Sequence, residues 1–273
     1  MPRRRSGRRA GRMADAFRKS RAHAPPGFFA TEAAGLRWLT VPGGPRVARV
    51  LEHGAEHLDL ERVDPARPTP DAARDLGRRL AVLHRAGAAG FGVLPPGAGR
   101  GYFGPLDDPL PLVAGTWGDW PAFYAHARLR PVVAQGRERG VLTAQDAAAV
   151  ERVCGRLGVL AGPAAREAPA RVHGDLWSGN VLWSQGPGGS AEAVLIDPAA
   201  HGGHREADLA MLALFGAPHL DAVLAGYEAA WPLAPGWRER VPLHQLYPLA
   251  VHAVLFGGGY VEQTRHLLAR LGG

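Results

Sequence analysis

Lysine and asparagine are almost absent from this chain. Lysine and arginine together number 32, yet Lys19 is the single lysine and Asn180 is the single asparagine. Where geometry is tight, the larger forked guanidinium of arginine cannot replace a compact ammonium group. We therefore expect both residues to occupy positions at which the chemistry allows no substitute.

Cysteine and long apolar runs are also scarce, and this narrows the class of protein. Cys154 is the only cysteine, so no internal disulfide can form, which fits a reducing cytoplasm. The most continuous apolar stretch, residues 246–261, is interrupted by His252 and is too short to cross a bilayer. With 46% hydrophobic and 21% charged residues, the composition is that of a soluble globular protein. We predict a cytoplasmic protein that has no membrane partner.

Positive charge is concentrated at the N-terminus. Residues 1–12 contain six arginines and no acid, and without them the net charge of +7 falls to about +1. We predict a disordered tail over residues 1–12. The alternative, an arm that binds nucleic acid or a membrane surface, is disfavoured because no basic cluster follows downstream. No nucleic-acid partner is expected.

A proline-rich connector, residues 64–70, divides the rest of the chain and disfavours regular pairing or coiling. Before it, the pattern predicts a strand at 16–20, a helix at 30–39 and strand pieces over 51–63. We place the lobe boundary at the connector. The predicted small N-lobe, residues 13–63, would bind nucleotide.

The longer part, residues 64–273, is predicted to be a mainly helical C-lobe that carries catalysis and substrate binding. Apolar stripes predict helices over 71–86, from the Thr143 cap to Leu160, and over 220–231. Two short apolar runs at 181–183 and 193–196 flank a glycine-rich turn, which indicates a hairpin. The fold class is therefore α+β with two lobes.

The strongest local pattern is His173-Gly-Asp-Leu-Trp-Ser-Gly-Asn180. Phosphoryl transfer to a hydroxyl needs a carboxylate that orients the nucleophile and accepts its proton, and oxygen ligands that hold Mg²⁺ on the phosphates. Kinase catalytic loops place these groups as an Asp and an Asn five residues apart, after a His. Asp175 and Asn180 have this spacing, and Asp197 ends the following hairpin. We predict Asp175 as the catalytic base and Asn180 and Asp197 as metal ligands.

The N-lobe offers a matching nucleotide site. A kinase grips the phosphates of ATP with a strand lysine that is paired with a helix glutamate. Lys19 lies on the first predicted strand, and Glu32 lies near the start of the following helix. The strand that ends near Glu61, Arg62 and Val63 would then lead into the hinge, where backbone groups face the adenine edge.

Two segments resemble the signature of fructosamine (ketosamine) kinases, with weaker agreement over roughly residues 16–265. They are Arg171-Val-His-Gly-Asp-Leu-Trp-Ser-Gly-Asn-Val-Leu-Trp183 and Ile196-Asp-Pro-Ala-Ala-His-Gly-Gly-His-Arg-Glu-Ala-Asp-Leu-Ala-Met211. The Trp after Asp-Leu and the His-Gly-Gly-His run separate this family from aminoglycoside and choline kinases, which share only the generic loop.

The resemblance implies a protein-kinase-like fold and the use of ATP and Mg²⁺. It also implies phosphorylation of a sugar hydroxyl on a ketosamine, either free or protein-bound. The phosphorylated product is unstable and sheds the sugar, so the implied role is deglycation repair. Oligomeric state stays open.

One expected feature is missing before Lys19. Gly7 and Gly11 do not form a Gly-x-Gly-x-x-Gly phosphate loop, and no apolar alternation flanks them. The N-lobe is therefore expected to be truncated, or its nucleotide loop to be degenerate. This leaves two alternatives open: a kinase for another small amine or sugar, and a nucleotide-binding pseudokinase.

Three further residues near the motif receive expected roles. Trp177 is expected to form a flat wall for the sugar, with core packing as the alternative. His204, which with His201 forms a His-x-x-His pair, is a weak zinc motif. We expect it instead in a loop near substrate or magnesium. Asp208 is expected to accept backbone N–H bonds from the catalytic loop.

Overall fold

The strands of the protein are short and are distributed over the whole chain. The structure is a computed structural model that describes residues 16–273, so the predicted tail over residues 1–12 lies outside the described part. The strands are β1 (Ala16–Ser20), β2 (Arg46–Val47), β3 (Val50–His53), β4 (His57–Glu61), β5 (Gly101–Phe103), β6 (Leu110–Leu112), β7 (Ala170–Val172), β8 (Val181–Gln185), β9 (Ala191–Leu195) and β10 (His201–Gly203).

Helices dominate the chain after the proline-rich connector. They are α1 (Phe28–Leu39), α2 (Pro70–Arg85), α3 (Trp120–Phe123), α4 (Arg130–Glu138), α5 (Ala144–Cys154), α6 (Leu157–Ala161), α7 (Arg205–Leu214), α8 (Leu220–Ala230), α9 (Trp237–Phe256) and α10 (Gly259–Gly272). A π-helical turn, Tyr124–Leu129, joins α3 to α4. This distribution confirms the predicted α+β class.

A three-stranded antiparallel sheet in the order β1-β4-β3 forms the first part of the described chain. Lys19 on β1 lies opposite Leu58 on β4, which is fully buried. Helix α1 buries Leu36 and Leu39 in the same apolar cluster as Leu58. The strand over residues 16–20 is confirmed, whereas α1 begins at Phe28, two residues earlier than predicted.

The two halves of the chain are joined through a shared sheet and a shared core. Strand β2 pairs in parallel with β9, with Val47 opposite Leu195. The connector was expected to stay unpaired, but Pro65 forms a single bridge with Ser184 and the Ala66 N–H donates to the Trp183 carbonyl oxygen at 2.7 Å. The division into lobes at residue 63 stays a prediction.

Capping residues determine where the predicted helices begin. Thr69 accepts a hydrogen bond from the Ala72 N–H at the start of α2, and Thr143 and Asp146 form a reciprocal capping box on α5. The prediction that one helix runs on to Leu160 is wrong about where this helix ends. It ends at Cys154, where Gly155, a poor helix former, caps it, and α6 then begins as a separate helix.

The hairpin of β8 and β9 is present as predicted and positions the candidate site. Its register pairs Val181 with Leu195, and the Ile196 N–H donates to the Asn180 carbonyl oxygen at 3.1 Å. The residue before β8 therefore lies beside the segment that follows β9. This places Asn180 and Asp197 at the same end of the hairpin. Among residues 16–273, none of the helices combines the length and apolar character needed to cross a membrane.

Candidate active site

A cleft of about 300 Å³ contains most of the predicted site residues. Lys19 and Glu32 reach it from the N-terminal sheet and α1, and Asp175, Asn180 and Asp197 reach it from the loops around the β8–β9 hairpin. The complete lining is Lys19, Phe28, Thr31, Glu32, Tyr102, Phe103, Gly104, Pro105, Leu106, Asp175, Trp177, Asn180, Asp197, Pro198, Ala199, His252, Leu255 and Phe256.

The single lysine lies between two carboxylates. Lys19 Nζ is 2.9 Å from Glu32 Oε2 and 3.2 Å from Asp197 Oδ2. Burial by itself would lower the pKa of Lys19, but the attraction of both carboxylates outweighs it and the net shift is upward. Lys19 is therefore a fixed positive charge in the cleft.

Glu32 is the buried partner of this group. Burial raises the pKa of its carboxyl to about 7, against the opposing attraction of Lys19. Its Oε1 has no hydrogen-bond partner among the described residues. With only one of its two oxygens paired, the buried Glu32 carboxylate depends on the Lys19 ammonium to stay ionised.

Asp208 on α7 holds the segment from His173 to Asn180, which we call the catalytic loop. The Asp208 carboxylate accepts hydrogen bonds from the backbone N–H groups of His173, at 2.7 Å, and Gly174, at 2.9 Å. Burial would raise the pKa of Asp208, but the hydrogen bond and charge of His84, with those of the loop, lower it overall. The expected role of Asp208 is confirmed in the geometry.

His173 and Gly174 shape the loop rather than enter the cleft. The fully buried His173 donates from Nε2 to the Ile196 carbonyl oxygen at 2.9 Å, and burial lowers its pKa. Gly174 has φ +84, and a Cβ there would lie 2.2 Å from the Ala199 carbonyl oxygen. Only glycine fits this left-handed backbone at so close an approach.

Asp175 and Asn180 meet in the cleft as their spacing predicted. Asn180 Nδ2 donates to the Asp175 carbonyl oxygen at 2.8 Å and to Asp175 Oδ2 at 3.1 Å. Burial raises the pKa of Asp175 to about 7, the negative charges of Asp197 and Asp208 add to this, and the Asn180 hydrogen bond opposes it. A carboxylate with a raised pKa suits the acceptance of a proton near neutral pH.

Asp197 adopts a backbone conformation that is uncommon for its residue type. Its φ is +51, in the left-handed region that asparagine and aspartate tolerate better than most residues. The segment thereby turns directly after β9 and presents the Asp197 carboxylate to the cleft beside Lys19. A non-glycine residue in this region is often found at functional sites.

Trp177 lies at the rim of the cleft and is 40% exposed, which argues against core packing. Its indole ring lies over Gly179, where a Cβ would approach the ring to 2.3 Å. The Phe215 ring contacts it edge-on at a centroid distance of 6.1 Å. A flat, partly exposed aromatic surface therefore lies beside Asp175 and Asn180.

The predicted hinge residues do not line this cleft. The Glu61 N–H donates to the Arg49 carbonyl oxygen at 2.9 Å, and the Glu61 carboxylate pairs with Arg46. The N–H of Glu61 is therefore already used, by the residue that precedes β3. A role in adenine binding stays a prediction for the backbone groups of Glu61, Arg62 and Val63.

His204 is not brought into the cleft. It is 2% exposed, donates from Nε2 to the Ala164 carbonyl oxygen and accepts the Glu206 N–H on Nδ1 as the cap of α7. Burial lowers its pKa to about 3. The expected substrate contact is therefore wrong, because both ring nitrogens are used inside the protein. Glu206 and His244 lie near enough to complete a metal-ligand set with it, but Arg240 already holds the Glu206 carboxylate.

Several cleft residues were not predicted from the sequence. The β5–β6 hairpin contributes Tyr102 and Phe103, and α9 contributes His252 and Phe256. The Tyr102 hydroxyl donates to the Pro26 carbonyl oxygen, which fastens the hairpin near the start of α1. In the sequence, the apolar stretch around His252 indicated only that it is too short to cross a bilayer, and no spacing linked it to the catalytic loop.

Comparisons with known proteins show what this chain is similar to. The family model described as fructosamine kinase matches residues 9–272. A Synechocystis sp. protein named as a ketoamine kinase is 36% identical over 247 residues, which cover 88% of this chain and 77% of the relative.

Two solved structures are also similar to this chain. A protein from Thermobifida fusca named as a fructosamine-3-kinase superposes with a TM-score of 0.82 and 47% identity over 93% of this chain and 85% of the other. The streptomycin–ATP complex of APH(2")-IIa superposes with a TM-score of 0.56 and 11% identity over 94% of this chain and 85% of the other. This second likeness shows a shared fold, the bilobal fold of the protein-kinase-like proteins, and nothing further.

Proposed function

Because the chain belongs to the fructosamine kinase family and is therefore a phosphotransferase that acts on a sugar hydroxyl, we propose that it transfers the γ-phosphoryl group of ATP to a ketosamine. Fructosamines and ribulosamines are the substrate class. The observation that carries the proposal is the meeting of Lys19, Glu32 and Asp197 with Asp175 and Asn180 in one cleft. The relatives' names support the substrate class.

Lys19 would bind the phosphates of ATP. Its ammonium is a compact positive charge held by Glu32, so it is oriented before the nucleotide arrives. The pairing with Asp197 would loosen when the phosphates take its place beside the ammonium. The solved ATP complex of the distantly similar APH(2")-IIa supports ATP as the donor.

The donor atoms near Lys19 fit a hard divalent cation. Asp197 contributes a carboxylate, and Asn180 donates through Nδ2, which leaves Oδ1 as the atom that could ligate a metal. Burial is the main cause that raises the pKa values of Glu32 and Asp175, and the negative charge of Asp197 raises both further. Bound Mg²⁺ would neutralise phosphate charge as the phosphoryl group is transferred.

Asp175 would act as the general base. The sugar hydroxyl gives its proton to the Asp175 carboxylate as the oxygen–phosphorus bond forms and the bond between the γ-phosphorus and the bridging oxygen of ADP breaks. Asn180 holds the carboxylate through its Nδ2 hydrogen bond, so the acceptor oxygen keeps one position. Trp177 would cover the apolar face of the sugar ring. The phosphorylated ketosamine would then shed its sugar, which amounts to deglycation.

The test is turnover of a substrate panel by the full chain with ATP and magnesium. We expect ADP release and a new phosphate monoester resonance in ³¹P NMR with fructosamines or ribulosamines, followed by release of the free amine. The unglycated amines are the matched controls. Turnover of aminoglycosides or choline alone would favour the alternative small-amine kinase, and ATP binding without turnover of any member would favour the pseudokinase.

A further inference from the structure

A second cavity, of about 40 Å³, lies behind the catalytic loop. Gly174, the neighbour of Asp175, contributes to its wall, and Phe103 lines both this cavity and the cleft. Arg128 and His244 bring polar groups to it. The mechanism proposed above makes no use of this space.

Arg128 is a buried cation whose charge is not compensated. Its side chain is 2% exposed, and burial lowers its pKa. Nη1 donates to the carbonyl oxygens of Val113, at 3.2 Å, and Ala127, at 2.8 Å. Nη2 is buried and has no hydrogen-bond partner within residues 16–273. The guanidinium lies over the rings of Phe123, at 4.5 Å, and Tyr247, at 5.7 Å, which attract the cation but supply no full negative charge.

Glu206 and Asp208, two buried carboxylates of α7, are committed to other partners. The Glu206 carboxylate accepts both donors of Arg240, at 2.5 and 2.9 Å. The Asp208 oxygens accept from the catalytic-loop backbone and from His84. In the described part of the chain, Arg128 forms no salt bridge with an aspartate or glutamate.

A second polar atom in the cavity wall also lacks a partner. His244 Nε2 lies 3.3 Å from Glu206 Oε2, whereas His244 Nδ1 is buried and has no hydrogen-bond partner in the described chain. The cavity is thus lined by a buried guanidinium and by the imidazoles of His201, His204 and His244, and none of its lining residues is acidic. Buried charges without partners are strongly unfavourable, so an occupant of opposite charge is expected.

We propose that this cavity is a binding site for one small monovalent inorganic anion of chloride size, held by Nη2 of Arg128. A single buried water needs roughly 10–15 Å³ of cavity volume. The cavity therefore accommodates a halide together with one or two waters, and it is too small for a sugar or a nucleotide. Its single unpaired cation calls for a single negative charge.

The first experiment compares the thermal unfolding midpoint of the full chain in sodium chloride, sodium bromide and sodium gluconate at equal ionic strength. Gluconate is too large for the cavity. At a halide concentration about ten times Kd, the folding equilibrium constant should rise about tenfold, which corresponds to an increase of about 3–5 °C in Tm. Equal midpoints in chloride and gluconate would overturn the proposal.

Variants assign the effect to Arg128. Arg128→Gln should abolish the difference between chloride and gluconate. The matched control Arg130→Gln changes a partly exposed arginine of the same region that pairs with Glu151, and should keep the difference. A halide effect that persists in a folded Arg128→Gln protein would place the anion elsewhere and contradict the proposal.

A direct measurement remains decisive if Arg128→Gln does not fold. Crystals of the unmodified protein grown in sodium bromide should show an anomalous scattering peak within hydrogen-bond distance of Arg128 Nη2. A cavity that holds only water under these conditions would overturn the assignment.

Discussion

The Lys19 ammonium lies 2.9 Å from Glu32 Oε2, and this ion pair connects strand β1 to helix α1. The same ammonium lies 3.2 Å from Asp197 Oδ2, so one side chain also links the N-terminal sheet to the segment after β9. The chain retains its single lysine at the point where three elements converge.

Lys19→Arg should lower kcat/KM for ATP by about 10²–10³, the usual effect of losing one oriented electrostatic group. The guanidinium is larger and forked, so it cannot occupy the space between Glu32 and Asp197 in the same way. Steady-state kinetics with varied ATP measures the effect. Arg18→Lys on the same strand, where Arg18 pairs with Asp59 away from the cleft, is the control and should behave as wild type. Full activity of Lys19→Arg would argue against a need for lysine here.

Asp175→Asn should lower kcat by about 10²–10⁴ while ATP binding is kept, because the amide fills the same space but cannot accept a proton. Rapid-mix measurement of the chemical step, together with calorimetry of nucleotide binding, separates the two effects. Turnover close to that of wild type would remove Asp175 from the role of base.

Asp197→Ala should weaken magnesium-dependent ATP binding more than Asn180→Ala does. A carboxylate binds a hard cation better than an amide oxygen does, and Asp197 supplies the carboxylate. Isothermal titration with ATP in the presence and absence of magnesium gives the comparison, since only the metal-dependent part should differ. The assignment fails if Asp197→Ala and wild type show the same magnesium dependence.

Trp177→Ala should raise KM for the ketosamine by about 2–10-fold and leave KM for ATP nearly unchanged, because an aromatic face contributes roughly 0.5–1.5 kcal/mol through stacking contacts. Trp177→Phe keeps a flat ring and is the matched control, for which a smaller change is expected. If KM for the ketosamine is unchanged in Trp177→Ala, the indole has no part in sugar binding.

Asp146 should make the free energy of unfolding depend on pH in acid solution. Hydrogen bonds from Arg265 are the leading cause that lowers the pKa of Asp146 from 3.8 to about 2. A carboxyl whose pKa is lower in the folded than in the unfolded state stabilises the protein at pH values above its unfolded-state pKa. That contribution is lost as pH falls from about 4 through about 2.

Asp146→Asn removes this titration. Urea unfolding should show wild type more stable than Asp146→Asn by about 1–2 kcal/mol at pH 6, a magnitude reduced by the partial exposure of Arg265. The difference should shrink towards pH 2. A gap between the two proteins that does not change with pH would show that the Arg265 contact does not depend on the Asp146 charge.

The catalytic loop and its hairpin could be predicted from sequence because they are local. Asp175 and Asn180 belong to one loop, and a short antiparallel hairpin must return the chain to its start, so Asp197 arrives beside them. The capping box of α5 was predictable for the same reason, since Thr143 and Asp146 are three residues apart.

The error at His204 has a long-range cause. The motif places His204 close to the catalytic loop in sequence. Its Nε2, however, forms a hydrogen bond with the carbonyl oxygen of Ala164, which lies 40 residues earlier. Whether a side chain in such a run faces the cleft or the interior depends on which distant segment packs against it. No periodicity near His204 contains that information.

The sequence by itself determined how Asp175, Asn180 and Asp197 come together, because residues at these short spacings must meet once the loop and hairpin form. That Lys19 on β1 lies beside Asp197 is a result of the tertiary structure. Tertiary structure alone decided what surrounds them. Phe103 and His252 reach the cleft from distant elements, and Arg128 is buried without a counter-charge beside the same loop. These outcomes depend on packing between segments far apart in the chain, where burial and the choice of partner are determined by the whole fold and by no local pattern.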